Sequence, residues 1–358
     1  MCTLCKTLDA TKVDAFGGRL LGMLNDAGLA LMISIGHRTG LFDTLASLPP
    51  AAASTIAGVA RLNERYVREW LGAMTVGRIV VHDPVAGTYH LPREHAALLT
   101  RAAAPNNLAA FMQYTSLLGQ VEEQIVHCFR EGGGVPYADF TRFHEVMAED
   151  SGQTIVAALF DHVLPLVPGL REQLERGIDV LDLGCGRGIA LAALARKFPR
   201  SRFLGVDFNR DAIAWAKGQV DADCLVNLRY EALDAAMLEF TDAFDFIATF
   251  DAIHDQARPD RVLANIARAL RPDGVYLMQD IHASSSHHGD LGHPAGPFLY
   301  TVSTMHCMTV SLAVGGMGLG TMWGRETAQR MLKDAGFRDV RIERLAHDFQ
   351  NDYYIVRK

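Results

Sequence analysis

Positive charge is in short supply in this 358-residue chain: 34 Lys and Arg stand against 41 Asp and Glu, a net charge of −7. That balance argues against a constitutive binder of nucleic acid. Cysteine is sparse too. Six are scattered along the chain, with one C-x-x-C at Cys2 and Cys5 and no second pair to complete a zinc site, so a frayed terminus is expected there. A reduced, cytoplasmic setting is the simplest expectation, and the start of the chain lacks the apolar core of a secretory signal. Long uncharged runs are missing with one exception: Leu291 to Gly324 contains no Asp, Glu, Lys or Arg. Its length meets the bilayer test. Two prolines, two histidines and seven glycines make it read instead as a buried helix with a glycine-rich loop, so no membrane partner is expected. The run "GGMGLGTMWG" also lacks the Lys-Ser/Thr ending of a phosphate loop, which points to close packing.

What is present has the proportions of a soluble globular protein of about two domains, with 49% hydrophobic and 21% charged residues. Residues 1–105 read as a mostly helical, winged-helix-like domain. "STIAGVARLNERYVREWLGAMTVGRIV" has the period of two short helices, and "RIVVHDPVAGTYHLP" follows as a hairpin. Its second helix carries Arg61, Arg65 and Arg68, but Glu64 and Glu69 interrupt them, and Tyr66 and Trp70 read as buried. Residues 106–175 read as a helical linker or cap rich in aromatic side chains, among them Tyr137, Phe140 and Phe143. From 176 to 358, strand candidates such as "IDVLDLG", "RFLGVD" and "FDFIATF" alternate with helical runs, the pattern of a doubly wound, Rossmann-like α/β sheet.

"VLDLGCGRG" is the most informative stretch. Asp182 ends a strand, and Gly184, Gly186 and Gly188 form the turn into a helix, where backbone can approach a ligand and unpaired N–H groups face it. Asp207 closes the next strand, where an acid can hold two ribose hydroxyls. A nicotinamide-binding turn needs its third glycine at position 189, which is Ile, so NAD is disfavoured.

On these residues the sequence resembles the class I S-adenosylmethionine-dependent methyltransferases, over roughly Gly177 to Lys358. The resemblance implies a seven-stranded sheet with its last strand antiparallel. It further implies that Asp182, Gly184, Gly186, Gly188, Asp207 and Asp251 border S-adenosyl-L-methionine (leaving S-adenosyl-L-homocysteine), with Asp234 at the adenine. The winged-helix-like region before such a domain resembles the small-molecule O-methyltransferases, where it dimerises; a homodimer is therefore expected. A closer likeness is to bacterial and mycobacterial methyltransferases that carry "DAIHDQ" and "STMHCMTVSLAVGGMGLGTMWG", a group that implies no particular acceptor.

Three polar residues follow the apolar strand "FDFIATF": Asp251, His254 and Asp255. His254 and Asp255 fall where plant-type O-methyltransferases carry a His-Asp pair with histidine as base, although Gln256 replaces the usual tryptophan. An imidazole that titrates near neutrality suits removal of a hydroxyl proton, and a carboxylate on its other nitrogen fixes the tautomer. Asp251, His254 and Asp255 are thus the catalytic candidates for methyl transfer to a small-molecule hydroxyl. A polar or structural role for His254 stands beside this reading. Asp280 and His282, after the next strand, are candidates for the acceptor pocket. The loop bearing His282, His287, His288, Asp290 and His293 lacks fixed ligand spacing, so no metal is expected. Transfer to nitrogen, carbon or sulfur on the same scaffold, and a cofactor-sensing winged-helix DNA-binding regulator, are the alternatives.

Overall fold

The computed structural model describes residues 8–358, so the Cys2 and Cys5 pair lies outside the described residues; the chain divides into two compact units, Met1–Ser116 and Leu117–Lys358. The first unit opens with a 29-residue helix, Ala10–Arg38, capped by Asp9, whose side chain accepts from the Lys12 N–H. Its residues Phe16, Leu20, Leu21 and Leu24 are half or more exposed. Among the described residues this is the one helix long and apolar enough to cross a membrane. The uncharged segment is broken into short helical pieces instead, Gly296–Val302, Ser303–Cys307 and Met308–Ala313.

Helices Ala53–Ala60 and Glu64–Val76 form the helix-turn-helix, the second capped by Asn63 accepting from the Arg65 N–H at 3.0 Å. Strands β1 (Val81–Asp83) and β2 (Thr88–His90) pair antiparallel behind it, and Asp83 closes their turn by accepting from Val85 and Ala86. Phe42, Ile56, Leu71 and Met74 are fully buried here, with Trp70 edge-on to Phe42 at 5.3 Å. Trp70 is buried as its position implied, but Tyr66 is 80% exposed because it lies on the solvent face of the helix. Arg65 and Arg68 pair one turn away with Glu69 and Glu64.

The second unit holds a seven-stranded sheet in the order β5-β4-β3-β6-β7-β9-β8: β3 (Asp179–Leu183), β4 (Arg202–Asp207), β5 (Leu228–Ala232), β6 (Phe244–Phe250), β7 (Leu270–Ile281), β8 (Asp339–Glu343) and β9 (Asn351–Arg357). β3 to β7 run parallel, and β9 inserts antiparallel between β7 and β8. Alternate side chains of the central strands enter opposite layers. Val180, Phe246 and Leu277 pack with Leu191 and Leu194 of helix Ile189–Lys197. Leu181, Ile247 and Met278 pack with Leu263 and Ile266 of helix Pro259–Ala269. Burial on both faces explains why these strands read as near-continuous apolar runs, each such side chain contributing roughly 2 kcal/mol. Parallel strands also place their carboxyl ends on one edge, where ligands bind in open α/β sheets.

Candidate active site

The glycine turn after β3 is shaped by two close approaches. A Cβ on Gly184 would sit 2.4 Å from that of Ala252, and one on Gly188 2.3 Å from the Tyr230 hydroxyl, which donates to the Gly188 carbonyl at 2.7 Å. Both glycines also hold positive φ, 75° and 69°, so no larger residue fits either place. Asp207, ending β4, ties the turn down: one carboxylate oxygen accepts from the Gly186 N–H at 2.9 Å and the other from Asn209 at 2.8 Å. Asp182 is buried, one of its oxygens has no donor among the described residues, and burial with the nearby Asp207 pushes its pKa up to about 7. A small cleft of about 70 Å³ opens here, lined by Asp182, Gly184, Gly186 and Phe250 together with His144 and Met147 of helix Phe143–Ser151. Burial lowers the pKa of His144, against the pull of Asp207, and Tyr137 stacks on its ring at 5.0 Å.

Beyond β6 the chain turns sharply. Asp251 has a φ of 49°, unusual for a residue with a side chain, and its N–H donates to the Gln279 carbonyl on β7. One of its oxygens lacks a donor among the described residues, and burial together with Asp280 pushes its pKa up to about 8. Three residues on, His254 is 3% exposed and its Nδ1 lies 2.8 Å from Oδ1 of Asp280, near the end of β7. The same oxygen accepts from the Trp323 indole at 3.0 Å and from the Ile281 N–H at 2.8 Å, while Oδ2 has no donor among the described residues. Burial works against a charge on His254, but Asp280 and Cys307 outweigh it and hold the pKa well above the ordinary histidine value.

The carboxylate on the His254 ring is therefore Asp280, not the adjacent Asp255. Asp255 reaches the Gln256 amide at 3.4 Å, and burial pushes its pKa up to about 7. The turn after His254 carries the Asp255 carboxylate away from Nδ1, and β7 delivers Asp280 to it. Asp234 is exposed at the start of the turn Ala235–Met237, with its Oδ1 accepting from the Ala236 N–H at 2.8 Å. The histidine loop is knitted by structural bonds. His282 meets Asp352 at 3.1 Å, and Asp290 accepts from Ser284 and Tyr300. One group among the described residues brings three metal-ligating atoms within 4.8 Å, namely Asp251, His254 and Asp280; the Asp280 oxygen on His254 already takes three donors. Sequence reasoning named Tyr137 only as one of the aromatic residues of the linker or cap, and did not single out His144, His306 or Trp323 for the site.

Residues 174–336 match the model of a methyltransferase domain. The chain carries a methyltransferase domain. Residues 27–101 match the Rv2258c-like winged HTH domain. The chain is 34% identical over 105 residues to the fatty-acid O-methyltransferase of Mycolicibacterium smegmatis, a stretch covering 29% of this chain and 37% of that protein. The chain thus spans little more than a third of that relative's length. Human N-acetylserotonin methyltransferase, solved in complex with SAM, superposes with a TM-score of 0.68 at 17% identity, covering 100% of this chain and 99% of that one. An O-methyltransferase family protein of Burkholderia thailandensis gives 0.64 at 17%, covering 95% and 97%. At such identities the likeness is one of fold, and it extends beyond the methyltransferase domain to nearly the whole chain.

Proposed function

We propose that the protein is an S-adenosyl-L-methionine-dependent methyltransferase acting on a hydroxyl of a small molecule. The observation that carries the reading is the buried His254–Asp280 pair, an oriented base at the same carboxyl-end edge of the sheet as the glycine turn, whose Gly184 packs against Ala252. The charge balance fits the cofactor. Asp182, Asp207, Asp251, Asp255 and Asp280 surround this edge of the sheet, and among the described residues no lysine or arginine forms an ion pair with any of them. A ligand bearing a sulfonium and an ammonium supplies the missing positive charge. When bound, it offers an electrophilic methyl group. Asp182, Gly184, Gly186, Gly188 and Asp251 would hold its amino-acid end, Asp207 the ribose and Asp234 the adenine. His254, fixed by Asp280, provides the lone pair that ultimately takes the acceptor's proton, and Asp255 adds negative charge near the imidazolium so formed.

Calorimetry with S-adenosyl-L-homocysteine tests the cofactor. Binding is expected, with NAD and ATP weaker. Asp207→Ala should weaken it by roughly 1 to 3 kcal/mol, since it removes both a ribose acceptor and the tether on Gly186. Unchanged affinity in a folded variant would reject the assignment. Mass-spectrometric screening of a cell extract for products heavier by one methyl group then identifies the acceptor.

The same reading includes a homodimer in the cytoplasm, with no nucleic-acid partner. The exposed apolar side chains of Ala10–Arg38 support self-association, as do the intrahelical pairs that occupy Arg65 and Arg68 against a DNA-binding role. The four described cysteines are free, in keeping with a reducing compartment. Light scattering should give a dimer mass across the micromolar range, and Leu21→Glu with Leu24→Glu should split it; a monomeric parent protein rejects the dimer.

A further inference from the structure

The amino-acid end of the cofactor carries opposite charges on one carbon atom, so an ammonium placed against Asp182 brings its carboxylate into the same cleft. The acidic residues of this edge repel that carboxylate, and the glycine turn has few N–H groups left for it. Gly184 and Cys185 already donate to the Val206 carbonyl at 2.8 and 3.2 Å, Gly186 to Asp207 at 2.9 Å and Gly188 to the Cys185 carbonyl at 2.8 Å. The opposite wall is different. In helix Phe143–Ser151 the spacing of His144, Met147, Ala148 and Ser151 puts all four on one face, and that face lines the cleft. Nε2 of His144 is buried and has no hydrogen-bond partner among the described residues, a costly state for a ring nitrogen that lacks a ligand. Tyr137 stacks on the ring at 5.0 Å and 25°, which fixes its plane. Arg187, from the turn itself, is the one lysine or arginine among the residues that line the cleft. Its guanidinium lies over the Trp215 indole, 5.0 Å from the ring centroid, and has no carboxylate partner among the described residues.

We propose that the cap helix reads the cofactor's carboxylate: Nε2–H of His144 and the Ser151 hydroxyl donate to it from one wall, and Arg187 neutralises it from the other. The proposal rests on the S-adenosyl-L-methionine reading and assigns the half of the amino-acid end that the acidic residues cannot hold. Both charges of the amino acid are then matched within one cleft, ammonium against Asp182 and carboxylate against Arg187, so neither is buried unpaired. Burial lowers the His144 pKa, so at neutral pH and above the ring donates as a neutral imidazole. The ligand also becomes the tie between helix Phe143–Ser151 and the glycine turn. A cofactor without the carboxylate would occupy the turn and leave His144 unengaged.

Calorimetry on the full chain tests this by comparing S-adenosyl-L-homocysteine with its decarboxylated analogue, in which hydrogen replaces the carboxylate. The parent protein should bind the analogue roughly 10²-fold more weakly. His144→Phe keeps a ring to stack on Tyr137 but removes the donor, and Arg187→Met keeps a stem over Trp215 but removes the charge. Each should weaken S-adenosyl-L-homocysteine by about 10- to 100-fold and leave the analogue within about twofold of its parent affinity. His144→Gln, which retains an N–H, should recover part of the loss. A parent protein that binds both ligands equally overturns the proposal. So do variants that lose the same factor on both ligands, the mark of a merely structural role. Should one variant not fold, the other and the parent's preference decide. Failure of the cofactor reading looks different: the parent would then bind neither ligand.

Discussion

His254→Ala is expected to lower turnover roughly 10²- to 10⁴-fold while leaving S-adenosyl-L-homocysteine affinity nearly intact, because the imidazole serves the acceptor's proton and not the cofactor. The pH profile carries the finer test. A base works when neutral, and Asp280 keeps His254 charged to well above its ordinary pKa, so the rate should rise with pH on the alkaline side of the usual histidine range. Asp280→Asn removes the charge that sustains the imidazolium. The rising limb should then move to lower pH, with a lower plateau because the ring is no longer held. Asp255→Asn should do less, since its carboxylate does not bond to the ring. Full turnover in His254→Ala with the acceptor found by screening would make this histidine structural.

Much of the arrangement was legible in the sequence because it follows from local rules. Central strands buried on both faces show as apolar runs, and the candidates "IDVLDLG", "RFLGVD" and "FDFIATF" are β3, β4 and β6 of the one sheet. The glycine turn was legible for a different reason: positive φ and close approach admit only glycine, so the geometry leaves a mark in the residue types themselves. Helix, turn, helix and hairpin in the first unit likewise follow from period and turn chemistry.

The partner of His254 was not legible in that way. Asp255 is adjacent in sequence, whereas Asp280 is adjacent in space, because β6 and β7 pair with Phe250 opposite Gln279. Pairing across strands depends on register, which no short motif encodes. The same holds for His306 and Cys307, whose stretch carried a family likeness in sequence but no role for either side chain. Tyr66 failed for a simpler reason: an aromatic residue reads as buried, but the helix turns it outward.

Cofactor affinity should depend steeply on pH between 6 and 8.5. Burial holds Asp182 at about 7 and Asp251 at about 8 in the free protein, and a ligand carrying two positive charges favours both carboxylates ionised. Binding should therefore release protons, measurable as a dependence of the calorimetric heat on buffer ionisation enthalpy. If both groups must ionise, affinity should fall by on the order of 10² to 10³ from pH 8.5 to 6, since each group costs tenfold per unit below its pKa. The free protein should show the opposite trend. A carboxyl whose pKa is raised by folding binds its proton more tightly folded than unfolded, so stability is lost as pH rises from the unfolded value toward 7 and 8. A raised histidine pKa acts in the same direction, its stabilisation being lost as pH climbs through the folded value. Melting temperature without cofactor should thus decline from pH 6 to 8.5, and saturating S-adenosyl-L-methionine should flatten or reverse that decline. Asp182→Asn should remove one of the two titrations and weaken binding at pH 8.5 more than at pH 6. An affinity that stays level across this range would mean that these carboxylates do not face the cofactor's charges.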